Sequence, residues 1–90
     1  MNKQILVHIN LFSLDQQILI IDEHGAMSNF ASVDISHLPE VVVEATTAYG
    51  TNKISLVGNK NYAEALKNEI NEYSIQNYSN KNLNITIMEA

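Results

Sequence analysis

The chain has 90 residues, of which 46% are hydrophobic and 17% charged, which suits a single folded domain because most domains contain about 100–150 residues. Its lack of cysteine excludes disulfides, thiolate metal sites and cysteine nucleophiles. The net charge is −5, with five lysines and no arginine, so the basic surface that nucleic-acid binding requires is missing and we expect no nucleic-acid partner.

The first predicted element is a strand over residues 4–12, where side chains alternate with period two. The alternation divides them into two sets, Ile5, Val7, Ile9 and Leu11 on one face and Leu6, His8, Asn10 and Phe12 on the other. Because apolar residues occupy much of both faces, we predict a central strand that is covered on both sides.

Two more strands complete a predicted meander. A turn over residues 13–16 leads to a second strand over 17–22, and a hairpin loop over 22–25 leads to a weaker third strand over 26–33. Polar residues in the third strand suit a half-exposed edge of the sheet, namely Ser28, Asn29 and Ser32. Phe30 is predicted to be an exposed aromatic side chain on that edge.

Helices and strands alternate in the rest of the chain. Residues 34–36 offer capping oxygens to a helix that tolerates Pro39 in its first turn and ends at Gly50. Its predicted apolar face consists of Leu38, Val41, Val42, Ala45, Ala48 and Tyr49. A strand over 53–57, a helix over about 62–78 and a last strand from 83 follow, the second helix having an apolar stripe of Tyr62, Leu66, Ile70 and Tyr73.

The resulting order, β-β-β-α-β-α-β, predicts one α/β (α+β) domain over residues 1–90. The meander requires antiparallel pairing, whereas each later strand-helix-strand connection requires a parallel pair joined by a crossover. We therefore expect one mixed five-stranded sheet with two covering helices.

This order resembles the ribonuclease H-like fold, which begins with a three-stranded meander followed by α-β-α-β. The resemblance implies carboxylates on the first strand, on the first helix and after the fourth strand, which together bind two metal ions. The matching positions hold Asn10, then Glu40 or Glu44, then Asn59. Because two of the three carry neutral amides, which are weak metal ligands, we expect neither nuclease activity nor a metal or other cofactor.

No membrane span is predicted, because no apolar run approaches about 20 residues, and no leader precedes the first strand. We therefore expect a cytoplasmic protein. Twelve asparagines and eleven isoleucines are typical of AT-rich coding. That bias suits an accessory protein of a phage or mobile element in a low-GC bacterium.

The leading functional hypothesis is a non-catalytic module that binds another protein. Two surfaces are candidates: the edge strand around Ser28, Phe30 and Ser32, and an acidic helix face with Glu40 and Glu44. An edge strand exposes unpaired backbone groups, so it can add a strand from a protein partner or from a second copy.

Two alternatives belong to other functional classes. One is a minimal metal-dependent nuclease or phosphodiesterase, whose ligands would come from Asp22, Asp34, Glu40, Glu44 or Glu89. The other is a binder of a small ligand such as a nucleotide, in the crevice where the strand order reverses, beside Asn10, Gly58 and Asn59. The chain lacks a complete glycine-rich phosphate loop, since only Gly58 follows the fourth strand.

Overall fold

The computed structural model describes residues 5–11, 16–78 and 83–89. The elements are strands β1 (Leu6–Asn10), β2 (Gln16–Ile21) and β3 (Met27–Val33), a 3₁₀ turn (Ile35–His37), helix α1 (Leu38–Tyr49), strand β4 (Lys53–Gly58), helix α2 (Lys60–Tyr78) and strand β5 (Asn84–Glu89). The predicted order of elements is confirmed. Most of the predicted turn over residues 13–16 lies outside the described residues, as do both predicted ends of the first strand.

The strands form the predicted mixed five-stranded sheet, and the structure gives their order as β3-β2-β1-β4-β5. β1 pairs antiparallel with β2 and parallel with β4, so it is central, and β3 lies at an edge as expected. β2 pairs antiparallel with β3, and β4 pairs parallel with β5. The antiparallel meander and the parallel remainder of the sheet therefore meet at β1.

Both helices pack on the same face of this sheet. The buried core contains sheet residues that are neighbours in register, among them Val7 with Ile20 and Ile54, and Ile9 with Leu56. The same core contains residues of both helices, and α1 contacts α2. Among the residues that the structure describes, β1 is covered by helices on one face and not on both faces as predicted, because the two crossovers place α1 and α2 on the same side.

The buried side of α1 differs in part from the predicted apolar face. Val43 and Thr46 are fully buried, whereas Ala48 and Tyr49 are exposed. Thr46 tolerates burial because its hydroxyl donates a 2.8 Å hydrogen bond to the Val43 carbonyl. Gly50 ends the helix as predicted, in the left-handed conformation at φ 63° that glycine adopts without strain.

The start of α1 also differs from the prediction. The N-cap residue is His37, whose side chain makes no capping hydrogen bond. Asp34 lies one turn before α1, and its carboxylate accepts a 2.7 Å hydrogen bond from the Ser36 hydroxyl. Pro39 lies in the first turn, where its missing N–H leaves no helical bond unmade.

α2 buries a slightly different stripe from the one predicted. Ala63, Leu66, Ile70 and Ser74 are buried, while Tyr62 and Tyr73 are half-buried beside them.

Within the described residues, neither helix has the combination of length and apolar character that would let it cross a membrane.

Candidate functional site

The face of the sheet opposite the helices is not covered by any described element, and we call it the open face. Three rows of side chains cross it from β3 to β5, as the strand register shows. The rows are Met27, Ile21, Leu6, Lys53 and Asn84; then Asn29, Leu19, His8, Ser55 and Thr86; then Ser32, Gln17, Asn10, Val57 and Met88.

Six of the fifteen side chains in these rows are apolar, and most of the six lie on β1, β2 and β3. Met27 is 65% exposed and Met88 is 47% exposed, and they lie at opposite corners. Between them, Leu6, Leu19 and Ile21 are only half-buried. Parallel sheets are normally covered on both faces, so a face of mixed polarity with exposed methionines, which no described element covers, is a candidate binding surface.

The open face also differs from the rest of the molecule in charge. Among the side chains that the structure describes, it contains no carboxylate, although the whole chain has a net charge of −5. The described carboxylates lie on the hairpin, before α1 and on the helices, namely Asp22, Glu23, Asp34, Glu40, Glu44, Glu64, Glu69 and Glu72. Among the described side chains of the open face, Lys53 is the one Lys or Arg.

The centre of the open face contains His8 and Ser55, which are neighbours in register on β1 and β4. Ser55 is only 4% exposed, and among the described atoms its hydroxyl has no hydrogen-bond partner. Because serine is smaller than His8 and Thr86 on either side of it, its position is the lowest point of the middle row.

A β-bulge separates the predicted edge-strand residues onto different faces. The register of β3 on β2 shifts between Ile18 and Leu19. As a result Ser32 pairs with Gln17 on the open face, whereas Ser28 pairs with Ile20 on the helical side. Simple alternation places Ser28, Phe30 and Ser32 on one face, so the extra residue of the bulge is the reason that they do not form one surface.

The prediction that Phe30 is exposed is wrong. Its side chain is half-buried and packs against the core. Its ring meets that of Tyr49 edge-to-face, with 6.0 Å between the centroids and 72° between the planes. This geometry is typical of favourable aromatic pairs, so Phe30 joins β3 to α1.

Glu40 and Glu44 are both exposed on α1, as predicted. Glu40 lines a cavity of about 270 Å³ between the start of α1 and α2, and Glu44 does not. The remaining lining residues are Ser36, Pro39, Glu69, Glu72, Tyr73 and Gln76. Beside this cavity, burial raises the pKa of Tyr62, and the negative charge of Glu69 raises it further. Three carboxylates make the cavity acidic, and sequence spacing missed it because the α2 residues come from a distant part of the chain.

The predicted crevice residues lie together at the end of β1 and β4, but the space beside them is filled. The amide of Leu11 donates a 2.9 Å hydrogen bond to the Val57 carbonyl, which closes the two strands against each other. The Leu11 side chain then packs directly on Gly58, which is buried. Asn10 is half-buried on the open face.

Asn59 has a structural role at the start of α2. Its side-chain oxygen accepts hydrogen bonds from the backbone amides of Asn61 (3.0 Å) and Tyr62 (3.2 Å). This is the usual role of an N-cap asparagine, which satisfies amides that have no partner within the helix. The capping interaction therefore uses the oxygen that the family resemblance would assign to a metal.

The carboxylates considered as metal ligands are dispersed over the fold. Asp22 accepts hydrogen bonds from the amides of His24 (2.8 Å) and Ala26 (3.0 Å), which stabilises the predicted hairpin. The Ser36 hydroxyl and then the His37 ring, 3.0 Å away, lower the pKa of Asp34. Across residues 5–11, 16–78 and 83–89, no three His, Asp or Glu side chains are grouped so that they could hold a metal ion.

Comparison with known proteins gives no family assignment: no protein-family model matches the chain, and no curated protein is significantly similar to it.

Proposed function

We propose that this chain is a small non-catalytic binding module that acts through protein–protein interaction, and that the open face is its binding surface. The observation that carries the proposal is a sheet face that no described element covers, with exposed Met27 and Met88 at its corners and no described carboxylate. Aromatic residues and methionine are enriched and charged residues depleted at the centres of protein interfaces. The open face has the methionines and the low charge of such a centre.

The arrangement of the matched family positions supports a non-catalytic role. Asn10 lies on the open face, whereas Glu40 and Glu44 are on α1, which packs on the opposite face. The sheet therefore lies between the first-strand and helix positions. The ligands of a two-metal site must converge on two ions that lie about 3.5–4 Å apart, and side chains on opposite faces of a sheet do not converge in this way.

Three finer assignments belong to the same proposal. The fold is ribonuclease H-like, supported by the three-stranded meander followed by α-β-α-β. The protein acts in the cytoplasm, and it is an accessory protein of a phage or mobile element. The cytoplasmic assignment is supported by a sequence with no cysteine and no apolar run approaching about 20 residues. The accessory role is supported by the composition, with its twelve asparagines and eleven isoleucines.

The test is affinity capture with three tagged forms of the chain: the unchanged protein, Leu19→Glu and Ile75→Glu. Leu19 is in the middle row of the open face, whereas Ile75 is 63% exposed on α2 and serves as the matched control. We expect a protein captured in stoichiometric amount by the unchanged protein and by Ile75→Glu, and lost with Leu19→Glu. A partner retained by Leu19→Glu, or a divalent metal bound by the purified chain, would contradict the proposal.

A further inference from the structure

We infer that the partner of the open face is the open face of a second copy of this chain, so that two sheets stack in a symmetric dimer. This inference rests on the proposed function, because it identifies the protein that covers the proposed binding surface. A two-fold dimer uses the same patch on both subunits, so that patch must be complementary to itself. Three properties of the open face meet this requirement: its charge, its size and its centre.

Charge repulsion between two copies of the chain is weaker at the open face than at the other described surfaces. Two copies that each have a net charge of −5 repel each other, so a contact between copies is least unfavourable where carboxylates are absent. The hairpin carries Asp22 and Glu23, and both helices carry glutamates. The described side chains of the open face include no carboxylate and only Lys53 as a lysine. A strongly basic partner would instead be drawn to the acidic helical layer.

The dimensions of the open face match a second sheet better than a single helix or peptide segment as the binding partner. Five strands spaced about 4.8 Å apart, with six residues rising about 3.3 Å each, give a face of about 24 by 20 Å. An added helix is about 10 Å wide and would leave more than half of that width uncovered. A second copy presents a sheet of the same dimensions. Its apolar residues would cover Leu6, Leu19 and Ile21 together with both exposed methionines.

The centre of the face suits a two-fold axis. His8 and Ser55 are neighbours in the middle row, and an axis passing near them places each residue close to its copy in the other subunit. These groups are polar without being acidic, so they tolerate close approach to their own copies. An imidazole can both donate and accept a hydrogen bond, so the two copies of His8 can pair across the contact, whereas the Ser55 hydroxyl is buried within each subunit.

The first experiment measures the mass of the purified chain by sedimentation equilibrium over a wide concentration range. We expect the unchanged protein and Ile75→Glu to be dimers with similar dissociation constants. Leu19→Glu places a carboxylate of each subunit in the contact, and we expect its dissociation constant to be at least about tenfold higher. Because Leu19 is half-buried, the double variant Met27→Glu/Met88→Glu repeats the test with two exposed residues, and circular dichroism verifies folding.

The second experiment distinguishes stacked sheets from edge-to-edge dimers. Because the chain has no cysteine, His8→Cys and Ile75→Cys each provide one site for a spin label. His8 is on the open face of the central strand β1. Stacked sheets lie about 10 Å apart, whereas an edge-to-edge dimer separates the two copies of β1 by five strand spacings of about 4.8 Å, which is about 24 Å. We therefore expect strong dipolar coupling between labels at position 8 and much weaker coupling between labels at Ile75. A dimer that persists in both charged variants, or that shows the opposite order of coupling, overturns the inference.

The two proposals fail in different ways. A monomer that still captures another protein through Leu19 overturns the dimer and leaves the proposed function standing. A monomer whose capture of other proteins does not depend on Leu19 overturns both.

Discussion

The Leu11 side chain occupies the space beside Gly58, and its Cβ lies 2.8 Å from the position that a Cβ on Gly58 would take. The atom in the way is attached directly to the backbone, so it cannot swing aside as the end of a long side chain could. This contact holds the ends of β1 and β4 together at the point where the strand order reverses.

Gly58→Ala is therefore expected to lower the free energy of unfolding by about 1–3 kcal/mol, the usual effect of overpacking. Gly50→Ala is the control, since both glycines have a positive φ, 63° at Gly50 and 158° at Gly58, but nothing lies within 4 Å of a Cβ at Gly50. Urea denaturation of both variants should show the larger loss at Gly58. In a Leu11→Gly background the loss at Gly58 should shrink, and an unchanged loss would show that Leu11 is not the cause.

Asn59→Ala should destabilise the protein by about 1 kcal/mol, because the first amides of α2 lose their acceptor. Asn59→Asp should retain most of the stability, since a carboxylate oxygen accepts the same bonds and its charge is favourable at a helix N-terminus. The melting temperatures of the two variants and of the unchanged protein, measured at neutral pH, test this expectation. Equal melting temperatures for Asn59→Ala and the unchanged protein would refute the capping role.

Ser74→Ala should stabilise the protein by up to about 1 kcal/mol. Ser74 is 1% exposed and its hydroxyl has no hydrogen-bond partner among the described residues, so its burial is not compensated. Alanine also has the higher helix propensity. Thr46→Val is the contrasting change, because it removes the bonded hydroxyl of an equally buried residue, and it should destabilise. Chemical denaturation of both variants tests whether a hydrogen-bond partner for the buried hydroxyl determines if removing that hydroxyl lowers or raises the free energy of unfolding.

The Asp34 carboxylate should contribute to stability in a pH-dependent manner. Its pKa lies below the usual 3.8, chiefly because the Ser36 hydroxyl and then His37 bind the ionised form. That contribution is complete above pH 3.8 and is lost as the pH falls through the lowered pKa. The melting temperatures of the unchanged protein and Asp34→Asn should therefore differ near neutral pH and converge in acid. Glu44→Gln, which also removes one exposed negative charge, controls for the change in net charge.

Added salt should strengthen the dimer that we infer. The copies repel through their net charge of −5, and salt screens this repulsion without weakening apolar contact at the open face. Sedimentation equilibrium at low and high sodium chloride should show a lower dissociation constant at high salt. A dissociation constant that rises with salt would indicate ion pairs across the contact and would contradict an apolar interface.

Much of the local structure could be predicted because it depends on neighbours in sequence. Alternating apolar residues predict the strands, the Asp22–Gly25 loop forms the hairpin through the Asp22 side chain, and Gly50 ends α1 because glycine adopts a positive φ without strain. Element order then predicts a mixed sheet, since crossovers connect parallel strands and short turns connect antiparallel ones. The exposure of Glu40 and Glu44 follows from helical spacing alone.

The position of the open face depends on packing between distant residues, and only the tertiary structure decided it. Leu6 and Val7 are both apolar neighbours on β1, yet Val7 is buried under the helices while Leu6 lies on the open face. Sequence alternation distinguishes the two faces of a strand but does not say which face the crossovers will cover. The bulge at Phe30 and the packing of Leu11 on Gly58 are likewise contacts between strands, and no pattern within one strand contains them.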